Sequence, residues 1–418
     1  MNRAGRATVV LLFLIAIVSY ADRQILALLK PVLDRRFGWS PEDYGRIAAW
    51  SQAATAVSLL ASGWVVDRLG VRFTLGAGLA GWSAMTMLHA WARTVAGFIA
   101  VRVGLGVFEG VGTPAMMKAV STYIPPRRRA ATLGLLNAAP NFAAMGTPLF
   151  VAAVFPALGW RGTIIAVGLA GFLCVIPWCL RRPEANAFPE ERAPACAPSP
   201  LPARRLVLGF ALGKFITDPV WWFLLFWLPD LLHRRFGLGP AQMGLPVATA
   251  YLMAAAGSLA GGHAPRALAA RRGGRPEASR RIVMGVAALL VLPLPLSLVT
   301  DSLAVATLLC GLTLAAHQAF AANLFGFASE WISPKRIGRA TGIGAFCGNV
   351  GGAVGLRLAG YAAGSAWGLA PVMIYGALAY GIAWLLFRLI APPARFDGAP
   401  ESLRTPARAS SPRGSPAR

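Results

Sequence analysis

Long apolar runs set the pattern of this chain. Segments of about 20 residues, rich in Leu, Val, Ile, Ala, Gly and Phe, recur along its length, each bounded by Arg, Pro or Gly. A run of that size matches one helical crossing of a ~30 Å hydrocarbon layer. Period-2 alternation is absent, and the runs are about twice the length of a barrel strand. The pattern predicts an all-α polytopic membrane protein with twelve transmembrane helices, at 7–30, 42–66, 71–91, 95–122, 130–155, 160–180, 206–232, 241–265, 281–300, 303–328, 337–362 and 367–390.

Composition agrees. Of 418 residues, 56% are hydrophobic and 13% charged, against about a quarter charged in soluble domains. The net charge of +24 could indicate nucleic acid, but its distribution excludes that partner. The Lys and Arg residues gather on one side of the predicted spans: Arg68 and Arg72, Arg127-Arg128-Arg129, the central loop, the loop from Arg266 to Arg281, and the tail. This positive-inside bias places both termini in the cytoplasm and the chain in a bilayer, as a multi-pass protein. The first apolar run is long enough to act as a span, so no cleaved leader is expected. Cys174, Cys179, Cys196, Cys310 and Cys347 have neither CxxC spacing nor a His cluster beside them, so neither a disulfide framework, a metal nor any other cofactor is predicted.

One composition break divides the chain. A proline-rich stretch at 182–205 separates two apolar blocks of similar size. It predicts an N-terminal six-helix bundle at 1–181, a cytoplasmic linker at 182–205, a C-terminal six-helix bundle at 206–391 and a disordered cytoplasmic tail at 392–418. The halves carry traces of a repeat: Gly63-Trp-Val-Val-Asp67-Arg68-Leu-Gly70-Val-Arg72 follows span 2, and Gly261-Gly-His-Ala-Pro265-Arg266 follows span 8. A duplicated bundle with a site at midplane is a transporter architecture.

The stretch Gly63, Asp67, Arg68, Gly70 and Arg72 resembles the G-x-x-x-D-R-x-G-x-R loop of the major facilitator superfamily. The resemblance implies that these residues latch the cytoplasmic gate. Physically, Gly63 would permit close helix approach, and Asp67 would accept from a helix N-terminus or from Arg72.

Asp22 and Arg23 in span 1, and Arg102 and Glu109 in span 4, stand at membrane depth. Each costs about 2.5–3.5 kcal/mol on insertion scales unless paired or facing a watery cavity. Seven residues of helix bring Arg102 and Glu109 to one face but leave them ~10 Å apart, so each needs a partner elsewhere. Tyr20 shares a face with Arg23 at i, i+3, whereas Asp22 points about 100° away.

Tyr20-Ala-Asp22-Arg23 resembles the N-Y-x-D-R element of the anion:cation symporter family. Arg102-x-x-x-Gly106-x-x-Glu109-Gly110 and Gly159-Trp160-Arg161 resemble its span-4 and span-6 elements. The resemblance implies that Arg23 and Arg102 meet a substrate carboxylate and that Asp22 and Glu109 take part in proton coupling. Linkage then gives symport. An anion that takes a guanidinium away from Glu109 favours proton binding there, and by reciprocity the proton favours the anion.

Span 7 carries Lys214, Thr217, Asp218, Pro219 and Trp221. Lys214 and Asp218 are spaced to pair, and Trp221 falls on the Lys214 face. An indole and polar groups on one face suit a polyhydroxylated acid. This run, His317-Gln318…Asn323 in span 10 and Thr341-Gly342…Asn349-Val-Gly351-Gly352 in span 11 resemble those of hexuronate transporters. The resemblance implies glucuronate or galacturonate as substrate, with Lys214, Trp221, Gln318, Asn323 and Asn349 at its hydroxyls. The expected partners are a small organic anion and H⁺, with the protein working as a monomer.

His317 reads more simply as a packing residue. Lys118 reads as a snorkelling side chain, and Arg127-Arg128-Arg129 as a headgroup anchor. No reading emerges for Arg357. Rival cargoes are galactonate, glucarate, and aromatic or dicarboxylic acids. Rival classes are an efflux antiporter, for which Gly146-Thr147-Pro148 is only a fragment of the signature, and a non-transporting sensor, which would need a further cytoplasmic domain. No catalytic triad points to an enzyme.

Overall fold

The computed structural model describes residues 3–180, 203–272, 276–332 and 334–390. Most of the expected linker, including Cys196, and the expected tail lie outside these residues. The described part is all helical: α1 Arg3–Phe37, α2 Pro41–Leu69, α3 Val71–Leu88, α4 Val95–Tyr123, α5 Pro126–Leu180, α6 Ala203–Phe236, α7 Gly244–Arg272, α8 Pro276–Val291 with a 3-10 turn at Leu294–Leu298, α9 Leu303–Trp331, α10 Pro334–Gly364 and α11 Ala370–Ile390.

Two predicted spans, 130–155 and 160–180, join within α5. The chain bends there at Gly159, whose φ of 61° and ψ of −175° are open to glycine and strained for other residues. The helical path breaks there, between the two predicted spans. Among the described residues, eight helices are long and apolar enough to cross a membrane: α1, α4, α5, α6, α7, α8 with its 3-10 turn, α9 and α11. The predicted spans at 42–66, 71–91 and 337–362 fall in α2, α3 and α10, whose many Gly, Ser and Thr residues lower their apolar content.

The turns are short and capped. Ser40 and Asp43 form a reciprocal capping box at the start of α2, with Pro41 in the first turn. Thr94 caps α4 through the Gly97 N–H, and Ser302 caps α9 through the Val305 N–H. These caps lie at one end of the bundle, where Trp39 links α1 to α2. The opposite end is marked by Arg72, where Gly70, at φ 78°, turns α2 into α3.

Small residues let the helices close on one another. In the first half, α2 packs on α4, and a Cβ at Gly106 would lie 2.5 Å from the Ser51 carbonyl oxygen. In the second half, α7 packs on α9, and a Cβ at Gly257 would lie 2.2 Å from the Ala315 carbonyl oxygen. Each of these glycines is followed by another four residues on, Gly110 and Gly261. This is the spacing that keeps one helix face small.

The halves meet through α2 with α10, α5 with α7 and α1 with α6. At the Trp39 end Gly45 faces Gly360 so closely that a Cβ on Gly45 would lie 2.7 Å from the Gly360 Cα. Arg357 reaches Glu42 at 3.2 Å across the same seam. The described polar contacts between the halves run from that end to mid-depth. Toward the Arg72 end the described ion pairs stay within one half.

Gly257→Ala should therefore force α7 off α9 and cost about 1–3 kcal/mol. At Gly262, where a Cβ meets nothing within 4 Å, the same change should fall within about 0.5 kcal/mol of neutral. Thermal unfolding in detergent checks this: the melting temperature should drop for Gly257→Ala and hold for Gly262→Ala.

Candidate functional site

At mid-depth three helices converge on Arg23. Its Nε donates to Glu109 Oε2 on α4 at 2.6 Å, with the Glu109 side chain 1% exposed. The guanidinium lies over the Tyr20 ring of its own helix at 4.9 Å and 5.6 Å from the Trp222 ring on α6. Arg23 thus joins a carboxylate of one half to an aromatic face of the other. A buried ion pair of this kind is held by geometry, and removing one partner strands a charge.

Arg102 takes a different place from its neighbour in charge. Its terminal nitrogens donate to the Asp22 and Arg23 carbonyls, each at 3.4 Å, and the residue is 1% exposed. It clasps the α1 backbone, and its Nε has no partner. Both carboxylate oxygens of Asp22 are buried without a hydrogen bond. Glu109 Oε1 is unpartnered as well. Buried polar atoms rarely stay unpaired, and these oxygens keep spare acceptor capacity.

Amides flank this centre. Gln52 on α2 donates to the Asn349 side chain on α10, and Gln318 on α9 donates to Asn141 Oδ1 on α5 at 2.8 Å. Both pairs span the halves. Lys214 and Asp218 pair at 2.7 Å, with Lys214 over the Phe325 ring. Trp221 stacks on His317 at 5.3 Å, and His317 Nδ1 meets the Tyr380 hydroxyl at 2.7 Å. Asn323 stands apart: it is fully buried and donates to the Gly261 carbonyl at 2.9 Å, tying α9 to α7.

The loop motif differs from expectation. Asp67 pairs with Lys118 of α4, so Lys118 is more than a snorkelling side chain. Arg72 donates instead to the Cys179 carbonyl near the end of α5, and its own carbonyl accepts from Trp178 Nε1 at 2.9 Å. Arg68 lies over the Trp64 ring at 5.2 Å. Gly63 meets nothing within 4 Å, because its face of α2 is exposed.

Sequence reasoning missed Gln52 and Asn141, and a buried cluster nearer the Trp39 end. Lys30 is fully buried between Asp34, at 2.5 Å, and Asp230 of α6, at 2.7 Å. Asp230 also accepts from Arg234 at 2.7 Å. The predicted first span stopped at residue 30 and left Lys30 at its edge. The signal was present in two i, i+4 pairs of opposite charge, Lys30 with Asp34 and Asp230 with Arg234.

A helical bundle in two halves, with ionic and amide side chains meeting at mid-depth, is the architecture of a membrane carrier. Residues 12–325 match the family model of the Major Facilitator Superfamily, and the chain belongs to that family. It is 28% identical to a probable L-galactonate transporter of Escherichia coli strain K12 over 68% of this chain and 66% of that one. It is 24% identical to a D-galactonate transporter of Escherichia coli O6:H1 over 91% of this chain and 95% of the relative. It is also 24% identical to a hexuronate transporter of Escherichia coli K12 over 78% and 80%. Among solved structures, a bacterial homolog of the human lysosomal transporter Spinster, inward-facing and unoccupied, superposes with a TM-score of 0.78. That match, at 18% identity, covers 94% of this chain and 98% of the other.

Two substitutions separate buried from exposed charge. Glu109→Ala should strand Arg23 and cost about 3–5 kcal/mol of stability. Asp67→Ala, at a side chain 74% exposed, should cost under about 1 kcal/mol. Melting temperatures of the purified variants check both: a large drop for the first and little for the second.

Proposed function

We propose that the chain is a proton-coupled symporter that imports a sugar acid, a hexuronate such as glucuronate or galacturonate, by alternating access. The observation that carries this reading is the Arg23–Glu109 pair with its unpartnered surroundings: Glu109 Oε1, both Asp22 oxygens and Arg102 Nε. A substrate carboxylate competes with Glu109 for the Arg23 guanidinium. Glu109, left without its counter-ion in a buried site, then takes a proton. The proton and the anion stabilise each other, so they move together. Asp22 is the second candidate for the coupled proton.

Two bundles, 1–181 and 206–391, joined by the linker at 182–205, would rock about this centre. The basic loops put the Arg72 end and both termini in the cytoplasm of a bacterial inner membrane. On that topology the described contacts between the halves close the seam at its extracellular end. The loop from Gly63 to Arg72 would then latch the cytoplasmic gate in the opposite state, with Asp67 exchanging Lys118 for a partner across the seam. Lys214, Trp221, Gln318 and Asn349, with Gln52 and Asn141, offer the donors, acceptors and flat face that a polyhydroxylated chain needs. Asn323 belongs to this set only if α9 turns on α7.

A second reading, galactonate as cargo, is favoured by the names of the two galactonate relatives. It shares the carboxylate and the hydroxyls and differs in the open chain.

Uptake of labelled glucuronate, galacturonate and galactonate into proteoliposomes under an imposed pH gradient tests the proposal. Gradient-driven accumulation of a hexuronate is expected. Accumulation of galactonate alone would favour the second reading, and accumulation of none would overturn both. Glu109→Gln should abolish gradient-driven uptake and keep counterflow exchange. Arg102→Ala, by releasing the α1 backbone around Arg23, should weaken anion binding at least tenfold, measured by titration calorimetry.

A further inference from the structure

Seven residues past Arg23, on the same face of α1 and ~10 Å along its axis, Lys30 closes the seam above the candidate site. Its ammonium has three protons. Two go to Asp34 and Asp230, at 2.5 and 2.7 Å. The ammonium also lies 5.0 Å from the Tyr44 ring and 5.6 Å from the Trp227 ring. Tyr44 crosses the seam as well, donating to the Phe226 carbonyl at 2.8 Å. Lys30, Tyr44 and Trp227 are fully buried and Asp230 is 1% exposed. The cluster joins α1 and α2 of one half to α6 of the other and roofs the site.

Each side of this contact carries its own counter-ion. Asp34 sits one turn beyond Lys30 on α1, and Arg234 sits one turn beyond Asp230 on α6. Both are partly exposed, at 24% and 40% of their side chains. We infer that Lys30, Asp34, Asp230 and Arg234 form a charge-balanced latch on the extracellular gate. When the gate is closed, Lys30 and Asp230 bond across the seam. When it opens, each helix withdraws as a neutral pair, Lys30 with Asp34 and Asp230 with Arg234.

The physical argument is one of reversibility. A seam closed by apolar side chains alone must expose them to water on every cycle. A seam closed by one unsupported ion pair would leave two bare charges on opening. Four charges, two on each helix, stay balanced in both states, and their hydration favours the open one. Neutralising one cross-seam partner therefore unbalances the cluster and loads its cost onto the closed state, because only there is the excess charge denied water. Replacing both cross-seam partners with apolar residues should do the opposite and hold the gate shut.

The inference rests on the alternating-access reading, and its test needs no substrate. In a background with the five cysteines replaced, Ala48→Cys places a thiol on α2 one turn beneath Tyr44, at a position 2% exposed. A membrane-impermeant maleimide is applied to right-side-out vesicles, and the labelling rate is read. Asp230→Asn should raise the rate at least tenfold, and Lys30→Met should move it the same way. Lys30→Met with Asp230→Leu should lower it at least threefold below the parent. Equal rates for the parent and both single variants would overturn the latch, as would a double variant labelled as fast as Asp230→Asn. Melting temperatures within a few degrees of the parent for at least one single variant exclude general unfolding. Failed sugar-acid uptake by the parent would overturn the proposed function and leave the labelling result to decide the latch.

Discussion

A carboxylate and a guanidinium buried together between helices constrain everything around them. Neither Glu109 nor Arg23 tolerates apolar surroundings alone, so α1 and α4 must hold them within bonding distance. The same guanidinium leans on Trp222 of α6, so the second half contributes to the first half's charge centre. Arg102 then fixes the α1 backbone through two carbonyls. A centre arranged this way has few stable alternatives. One is the present pair, and the proposed other replaces the carboxylate of Glu109 with that of a ligand and neutralises Glu109 with a proton.

Close packing brings such a centre to the interface between the halves. Gly45 and Gly360 bring two backbones together where the halves meet, and Gly106 and Gly257 do so inside each half. Small residues let these helices approach without interlocking side chains. The polar pairs across the seam, Gln52 with Asn349 and Asn141 with Gln318, supply direction without the bulk of an apolar plug. The Lys30 cluster repeats the principle nearer the Trp39 end with charge in place of amides.

The helices were legible because burial in lipid demands long apolar runs with sharp polar ends. The break at Gly159 falls between two predicted spans, whereas α2, α3 and α10 are less apolar than the spans predicted for them. The charge centre was partly legible: ionisable residues inside apolar runs are conspicuous, but which would pair depends on helix neighbours. Spacing along α4 correctly excluded contact between Arg102 and Glu109, yet it could not choose Arg23 as the partner of Glu109. Asp67 shows the same limit, since its partner Lys118 comes from another helix. Lys30 escaped notice because a lysine near a span's end reads as a snorkelling one. Only the approach of α6, with Asp230, turns it into a buried bridge.

The central claim is that anion and proton share one buried centre. Titration calorimetry of a hexuronate into the purified protein, repeated at one neutral pH in buffers of different ionisation enthalpy, measures the protons exchanged on binding. The account predicts that the observed heat changes linearly with buffer enthalpy, with the sign of net proton uptake by the complex. Saturable binding with the same heat in every buffer would contradict it.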